Sequence, residues 1–167
     1  YTITATPASL DFGSMIEHYT RPAAQTVVIE NTGNSTVTVT LPTNANFTIA
    51  IAPTGSLTLA PGGKATVSIQ PLGTLSAGVY DATLTFNTDH STSASVDVKF
   101  TVIAAVYTIT ADPASLDYGE LPTGYTPAAK TVVIENTGNS TVVITLPTNT
   151  NFTIAIAPTG SLTLAPG

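Results

Sequence analysis

The sequence predicts an all-β chain that folds as a two-layer antiparallel sandwich. Three observations support this fold class. Apolar and polar residues alternate with a period of two over many short runs, turn-forming residues separate the runs, and no window shows the apolar i, i+3, i+4, i+7 spacing of a helix. Alternation places one face of each strand on a core and the other in water.

The first 105 residues hold nine runs that fit a half-buried strand. In the third run, Val27 and Ile29 occupy the inward phase and Thr26 the outward phase. Threonine suits the outward phase because its branched Cβ fits a pleated surface while its hydroxyl stays hydrated. The predicted strands are residues 1–5, 9–12, 25–30, 35–41, 47–52, 56–59, 64–70, 79–87 and Ser93–Ile103.

The runs differ in length and in the strength of their alternation. The first two are short and are separated by Pro7, which suits a sheet edge because proline has no N–H to donate. The runs at 25–30, 35–41, 64–70, 79–87 and Ser93–Ile103 alternate over most of their length and predict long strands. Glycine, asparagine and proline, which favour tight turns, mark the breaks at 31–34, 42–44, 53–55, 61–63, 72–73 and 87–90.

An internal repeat sets the domain organisation. YTITATPASLDFG at residues 1–13 returns as YTITADPASLDYG at residues 107–119, and after a one-residue deletion VVIENTGNSTV and NFTIAIAPTGSLTLAPG recur unchanged. A unit of about 105 residues is the size of one immunoglobulin-type sandwich. We therefore expect a complete immunoglobulin-like sandwich in residues 1–105, and in residues 106–167 the first part of a second copy, with its A to D-like strands.

The junction between the copies contains no Gly, Ser or Pro from Ile103 to Tyr107. It predicts a stiff link in which one unit runs almost directly into the next. The first strand of a sandwich should start at the opposite end from where its last strand finishes. Residues 63–106 could therefore complete the second copy only through a longer connection than this junction provides. The first copy is thus expected to be the closed one. The second copy is then left with open strand edges. We expect that the native polypeptide continues past Gly167 as a tandem array.

Composition excludes several classes of function. The chain carries 4 Lys+Arg against 10 Asp+Glu and no Cys, which argues against nucleic acid as a partner and rules out disulfides and cysteine-based sites. With 43% hydrophobic and 8% charged residues the chain should fold, yet no apolar run is long enough to cross a membrane. No cofactor and no membrane insertion are expected.

Candidate site residues are few, and we expect no catalytic or metal site. His18 and His90 are the only histidines, and solvated loop positions are favoured for both. Asp11 and its counterpart Asp117 fit a turn role better than calcium binding, because no dense run of acids surrounds them. Asp89-His90-Ser91 has the composition of a catalytic triad but lies in a predicted hairpin turn.

Two loop tyrosines and one strand tyrosine complete the candidates. Tyr19 and Tyr125 occupy matching loops of the two copies and are possible contact residues, although packing over the sandwich end is the favoured interpretation. Tyr80 could form the corner hydrogen bond found in many sandwiches.

The residues also carry a family resemblance. LDFG, VVIENTGNSTVTVTL, the segment led by Phe47, APGGKATVSIQP and GVYDATLTF together resemble the abnormal-spindle/hydin-type branch of immunoglobulin-like domains, a pattern shared in outline by bacterial surface repeats and the major sperm protein family. The resemblance spans the first copy and the available part of the second. It implies a structural or adhesive module without an active site.

These observations favour a spacer or adhesive stalk repeat of a secreted or cell-surface bacterial protein, with neighbouring repeats of the same chain as partners. The alternative is a binding module whose loops or exposed sheet edge recognise a glycan or a host or surface protein. No constellation of residues supports an enzyme.

Overall fold

The computed structural model describes residues 1–51, 57–156 and 162–167. The chain divides into two compact units, Tyr1–Ala104 and Ala105–Gly167. The predicted turn at 53–55, the end of the predicted strand 47–52 and the start of the predicted strand 56–59 lie outside the described residues.

The first unit is an immunoglobulin-like β-sandwich, as the sequence predicts. Its described residues contain ten strands and no helix, and nowhere in the described chain is there a helix that could span a membrane. The strands are β1 (Ile3–Thr6), β2 (Ser9–Ile16), β3 (Gln25–Asn31), β4 (Val37–Thr40), β5 (Phe47–Ile51), β6 (Thr58–Leu59), β7 (Lys64–Pro71), β8 (Gly78–Val79), β9 (Ala82–Thr88) and β10 (Ser93–Ile103).

Two sheets form the layers of this sandwich. One is four-stranded and antiparallel, in the order β1-β3-β7-β5. The other has the order β2-β10-β9-β4-β6, with β8 also paired to β10. This distribution separates β1 from β2, although only Pro7 and Ala8 lie between them.

The core lies between the two sheets and follows the predicted alternation. Val27 and Ile29 of β3 are completely buried, whereas Thr26 is exposed. In β10 the inward residues alternate with exposed Asp97 and Lys99. The fully buried apolar side chains, which come from both sheets, are Phe86, Phe100, Ile29, Ile69, Leu84, Val27, Val37, Val39, Val67, Val96 and Val98.

One pairing departs from the antiparallel prediction. β2 runs parallel to β10, with Asp97 opposite Ser9 and Ile103 opposite Ile16. The physical reason is that the chain changes sheets between β1 and β2. β2 therefore pairs with β10, which is distant in sequence, and no hairpin turn imposes an antiparallel direction on this pair.

A second difference concerns the predicted strand 79–87, which is interrupted at Tyr80 and Asp81 and forms β8 and β9. The Tyr80 N–H still donates to the Phe100 carbonyl at 2.8 Å. Its hydroxyl donates to the Ser76 carbonyl at 2.7 Å, which is the corner hydrogen bond considered for this residue. One run of alternation therefore yields two strands, and these two hydrogen bonds hold Tyr80 at the break between them.

The second unit repeats part of this architecture. Its described strands are β11 (Ile109–Asp112), β12 (Val133–Asn136), β13 (Val142–Val143) and β14 (Thr163–Leu164). β11 pairs with β12 and β13 pairs with β14, both antiparallel. Ile109 faces Asn136 as Ile3 faces Asn31 in the first unit.

The described residues of the second unit contain fewer strands than the described residues of the equivalent part of the first. Residues 115–122 and 152–156 are not strands, although their counterparts belong to β2 and β5. Their partners in the first unit are β10 and β7. These partners lie in residues 64–71 and 93–103, a part of the repeat that does not recur within residues 105–167. Strand hydrogen bonds need two chains, so the same sequence is a strand in one unit and irregular in the other.

Candidate interaction surface

The two candidate contact tyrosines have different environments. The Tyr19 hydroxyl donates to the Leu72 carbonyl at 2.6 Å, and its ring packs edge-on against Phe100 with centroids 5.4 Å apart. Tyr19 therefore closes one end of the first sandwich. Tyr125 is 58% exposed, and its backbone N–H donates to the Pro122 carbonyl. The two tyrosines belong to different units.

Replacing Tyr19 with phenylalanine should lower the free energy of unfolding of the first unit by about 1 kcal/mol. The change keeps the ring contact with Phe100 but leaves the Leu72 carbonyl without its hydroxyl donor. The free energy of unfolding is measured by urea denaturation of the full chain, with the unfolding of the first unit monitored through the amide resonances of β10. Tyr125→Phe is the matched control and should leave that transition in place; an equally stable Tyr19→Phe variant would contradict the structural role.

The acidic candidates form turns. The Asp11 carboxylate accepts the Gly13 N–H at 2.7 Å, and Asp117 accepts the Gly119 N–H at the same distance. Both glycines have positive φ, at 73° and 65°, which explains why glycine stands at both positions. His18 is a loop residue in the left-handed region. Among the described residues no group of three His, Cys, Asp or Glu could hold a metal ion.

The predicted hairpin turn after β9 contains a small polar cluster. Asp89 accepts the Thr38 N–H at 3.0 Å and lies 2.8 Å from His90 Nδ1, while the Tyr1 ring stacks on the His90 ring at 3.7 Å. The Thr38 hydrogen bond, followed by that of His90, lowers the pKa of Asp89. These contacts hold an exposed turn against β4 and the N-terminus.

A buried asparagine occurs in each unit, and sequence reasoning assigned both only to turns. Asn31 is fully buried; its Nδ2 donates to the carbonyls of Ser35 and Leu59, and its Oδ1 accepts the Gly33 N–H. Asn136 makes the corresponding bonds in the second unit. The sequence NTGNST, which begins with this asparagine, is unchanged between the two copies and could have drawn attention to it. One side chain thus joins the turn after β3 to β6.

The second unit exposes apolar side chains whose counterparts form the core of the first. We call these residues the open face: Ile109, Leu116, Val132, Ile134 and Phe152, which are 51%, 37%, 39%, 37% and 56% exposed. Their counterparts Ile3, Leu10, Val27, Ile29 and Phe47 are between 0% and 5% exposed.

The open face keeps the side-chain arrangement of a sandwich interior. The ring centroids of Tyr118 and Phe152 lie 6.1 Å apart at an interplanar angle of 39°. Those of their counterparts Phe12 and Phe47 lie 6.0 Å apart at 42°. The aromatic pair has therefore formed in the second unit, while its solvent side remains uncovered.

Comparisons with known proteins support no specific activity. No protein-family model matches the chain, and no curated protein sequence matches it. Among solved structures, the ASH / PapD-like domain of human CEP192 (PapD-like domain 7) is similar, with 17% sequence identity and a TM-score of 0.47 over 62% of this chain and 87% of that chain. The fold assignment rests on the strand order and register of the first unit.

Proposed function

We propose that the chain is a structural spacer or adhesive repeat of a secreted or cell-surface bacterial protein and that it performs no catalysis. Its partners in this role are neighbouring repeats of the same chain. The observation that carries the proposal is that Val106, in the junction between the two units, is hydrogen-bonded to Asn139 of the second unit. The Val106 N–H donates to Asn139 Oδ1 at 2.7 Å, and the Val106 carbonyl accepts the Asn139 N–H at 3.1 Å.

This pair of hydrogen bonds shortens the link. β10 ends at Ile103 and β11 begins at Ile109, so Ala104 and Ala105 are the residues between the last strand of one unit and the anchored Val106 of the next. We expect a link of this length, without Gly, Ser or Pro, to restrict bending between the units, as a spacer requires. Gly138 contributes because a side chain there would collide with the Val106 backbone.

Distance measurements between the units test the spacer role. Cysteines introduced at exposed Lys99 and Val143 can carry spin labels without competition, because the chain has no other Cys. We expect a narrow distance distribution that Asn139→Ala broadens by removing the side-chain acceptor. Asn34→Ala, the equivalent change in the first unit, is the control and should leave the distribution narrow. A distribution as broad as that of a variant with a Gly-Ser insertion after Ala104 would overturn the proposal.

A second candidate function is recognition of a glycan or a host protein by the loops. The exposed ring of Tyr125 favours it, since aromatic faces stack on sugar rings and supply large contact area. A glycan array probed with the full chain and with Tyr125→Ala tests this alternative. Signals that persist in Tyr125→Ala would exclude Tyr125 as the contact.

A further inference from the structure

We propose that the peptide bond between Asp112 and Pro113 is a self-cleavage site, at which the chain cuts itself in mildly acidic solution without an enzyme. Cleavage at this bond separates the first unit from most of the second. The inference goes beyond the spacer role and is independent of it, because a chain that never cuts itself still serves as a spacer.

The bond lies in an exposed connection. β11 ends at Asp112, and both Asp112 and Pro113 are exposed. The corresponding residues of the first unit, Thr6 and Pro7, are also exposed, at the point where the chain crosses from one sheet to the other. Exposure at this position is therefore a property of the complete sandwich as well. Water, which the reaction consumes, reaches the bond in both units.

The two copies differ at this position in the residue that precedes proline. The first copy has Thr6-Pro7 and the second has Asp112-Pro113, within segments that are otherwise identical from YTITA to ASLD. Threonine has no carboxyl group, whereas the aspartate carboxylate can reach the carbonyl carbon of its own residue. The repeat thus provides a reactive bond and a matched unreactive one in the same chain.

Proline favours cleavage at this bond for two reasons. It has no backbone N–H, so its nitrogen cannot attack the aspartate side chain, which is the competing reaction at other aspartates. Its nitrogen belongs to a tertiary amide, and the additional carbon substituent makes it more basic than an ordinary amide nitrogen. Because a protonated nitrogen leaves more easily, acid promotes the cleavage.

The reaction needs only the Asp112 side chain, a proton and one water molecule. A carboxylate oxygen attacks the carbonyl carbon of the same residue and closes a cyclic anhydride, an intramolecular step that is favoured by proximity. The C–N bond to Pro113 breaks, and the proline nitrogen takes up a proton from solvent and leaves as a secondary amine. Water then adds to the anhydride, breaks one of its C–O bonds and returns a proton. One fragment ends in Asp112 and the other begins with Pro113.

The strand beside Asp112 leaves this carboxylate in a solvated setting. Asp112 faces Val133 of β12. The charged residue of β12 is Glu135, which is opposite Thr110 and is itself exposed. Water weakens the repulsion between exposed carboxylates. The pH dependence of cleavage should therefore follow from the chemistry of the bond and not from a neighbouring charge.

Cleavage changes how the second unit is held to the chain. The cut lies between β11 and β12, which are then joined by their four residue pairs and no longer by a continuous backbone. Hydrogen bonds between strands can be lost under load, whereas a peptide bond cannot. Acid would thus convert a permanent spacer into one that can be released.

The test incubates the full chain in buffers from neutral to mildly acidic pH and measures fragment masses under denaturing conditions. We expect two products, residues 1–112 and 113–167, that accumulate faster as the pH falls. Circular dichroism at each pH shows whether the chain remains folded. The bonds that follow exposed Asp89 and Asp97 are internal controls and should stay intact, because neither precedes a proline.

Matched variants make the result specific. Asp112→Thr, which introduces the residue of the first copy, should abolish cleavage. Asp112→Glu should slow it, because the anhydride ring would be one atom larger. Thr6→Asp should create a new cut that releases residues 1–6. An uncut wild-type chain, cleavage that persists in Asp112→Thr, an intact Thr6→Asp site, or equal hydrolysis after Asp89 and Asp97 would each overturn the proposal.

Discussion

Phe86→Ala is expected to destabilise the first unit by about 3–5 kcal/mol, the largest effect of any single change considered. Phe86 is completely buried in β9 and contributes its ring to the layer between the two sheets. Truncation removes the transfer free energy of the ring and leaves a cavity that the surrounding strands fill only in part. Because small domains are stable by about 5–15 kcal/mol, the variant should be close to unfolding at room temperature.

The measurement is urea denaturation of the full chain, followed by circular dichroism and by the amide signals of β10. Asn87→Ala, at the adjacent exposed position of the same strand, is the control and should change the free energy of unfolding by less than about 0.5 kcal/mol. A loss at Phe86 no larger than that of the control would mean that Phe86 is not part of the core.

Asn31→Ala should cost the first unit about 3 kcal/mol, because it removes three hydrogen bonds from a buried site. The carbonyls of Ser35 and Leu59 and the Gly33 N–H all lose the Asn31 side chain as partner. The bond to the Leu59 carbonyl is buried, so water cannot replace it while the turn stays folded, whereas the Gly33 N–H still donates to the Thr2 carbonyl at 3.1 Å. The penalty is therefore the desolvation of polar groups as well as the loss of the bonds themselves.

Two other asparagines control for this result under the same denaturation conditions. Asn34→Ala changes an exposed residue of the same turn and should be close to neutral. Asn136→Ala removes the equivalent bonds in the second unit and should leave the transition of the first unit unaltered. If Asn31→Ala is as stable as Asn34→Ala, the turn does not depend on the buried amide.

Periodicity was sufficient to predict the fold class and most strands of the first unit. The eleven residues of β10 alternate without interruption, and its predicted bounds agree with the structure. Alternation reports which face of a strand is buried, but it carries no information about the partner or its direction. The parallel pairing of β2 with β10 could therefore not be predicted from it.

The remaining differences have local causes. Tyr80 fits the alternation of β9 in sequence, yet the strand is interrupted at Tyr80 and Asp81, where the Tyr80 hydroxyl donates to the Ser76 carbonyl. Asparagine is a common turn residue, so the sequence predicts only a turn at Asn31. Its burial depends on β6, whose Leu59 carbonyl accepts the Asn31 side chain and is distant in sequence. The sequence predicts open strand edges in the second copy, but composition does not show which side chains are exposed, because Val132 and Val27 stand in identical segments and are 39% and 0% exposed.

The one-residue deletion in the second copy also has a structural meaning. Arg21, which has no counterpart there, donates from Nη2 to Thr48 Oγ1 at 2.7 Å and from Nε to the Pro71 carbonyl. It joins β5 to the end of β7 in the first unit. In the second copy Thr126 is followed directly by Pro127, so this connection has no counterpart there.

The parallel alignment of β2 and β10 determines how the first unit resists being stretched. A force applied at Ser9 and Ile103 acts along both strands in opposite directions, because Ser9 lies opposite Asp97 at one end of the pair and Ile103 opposite Ile16 at the other. The hydrogen bonds between the two strands are then loaded in shear at the same time and do not break one after another. A module held in this way keeps its length under tension until the whole ladder fails at once.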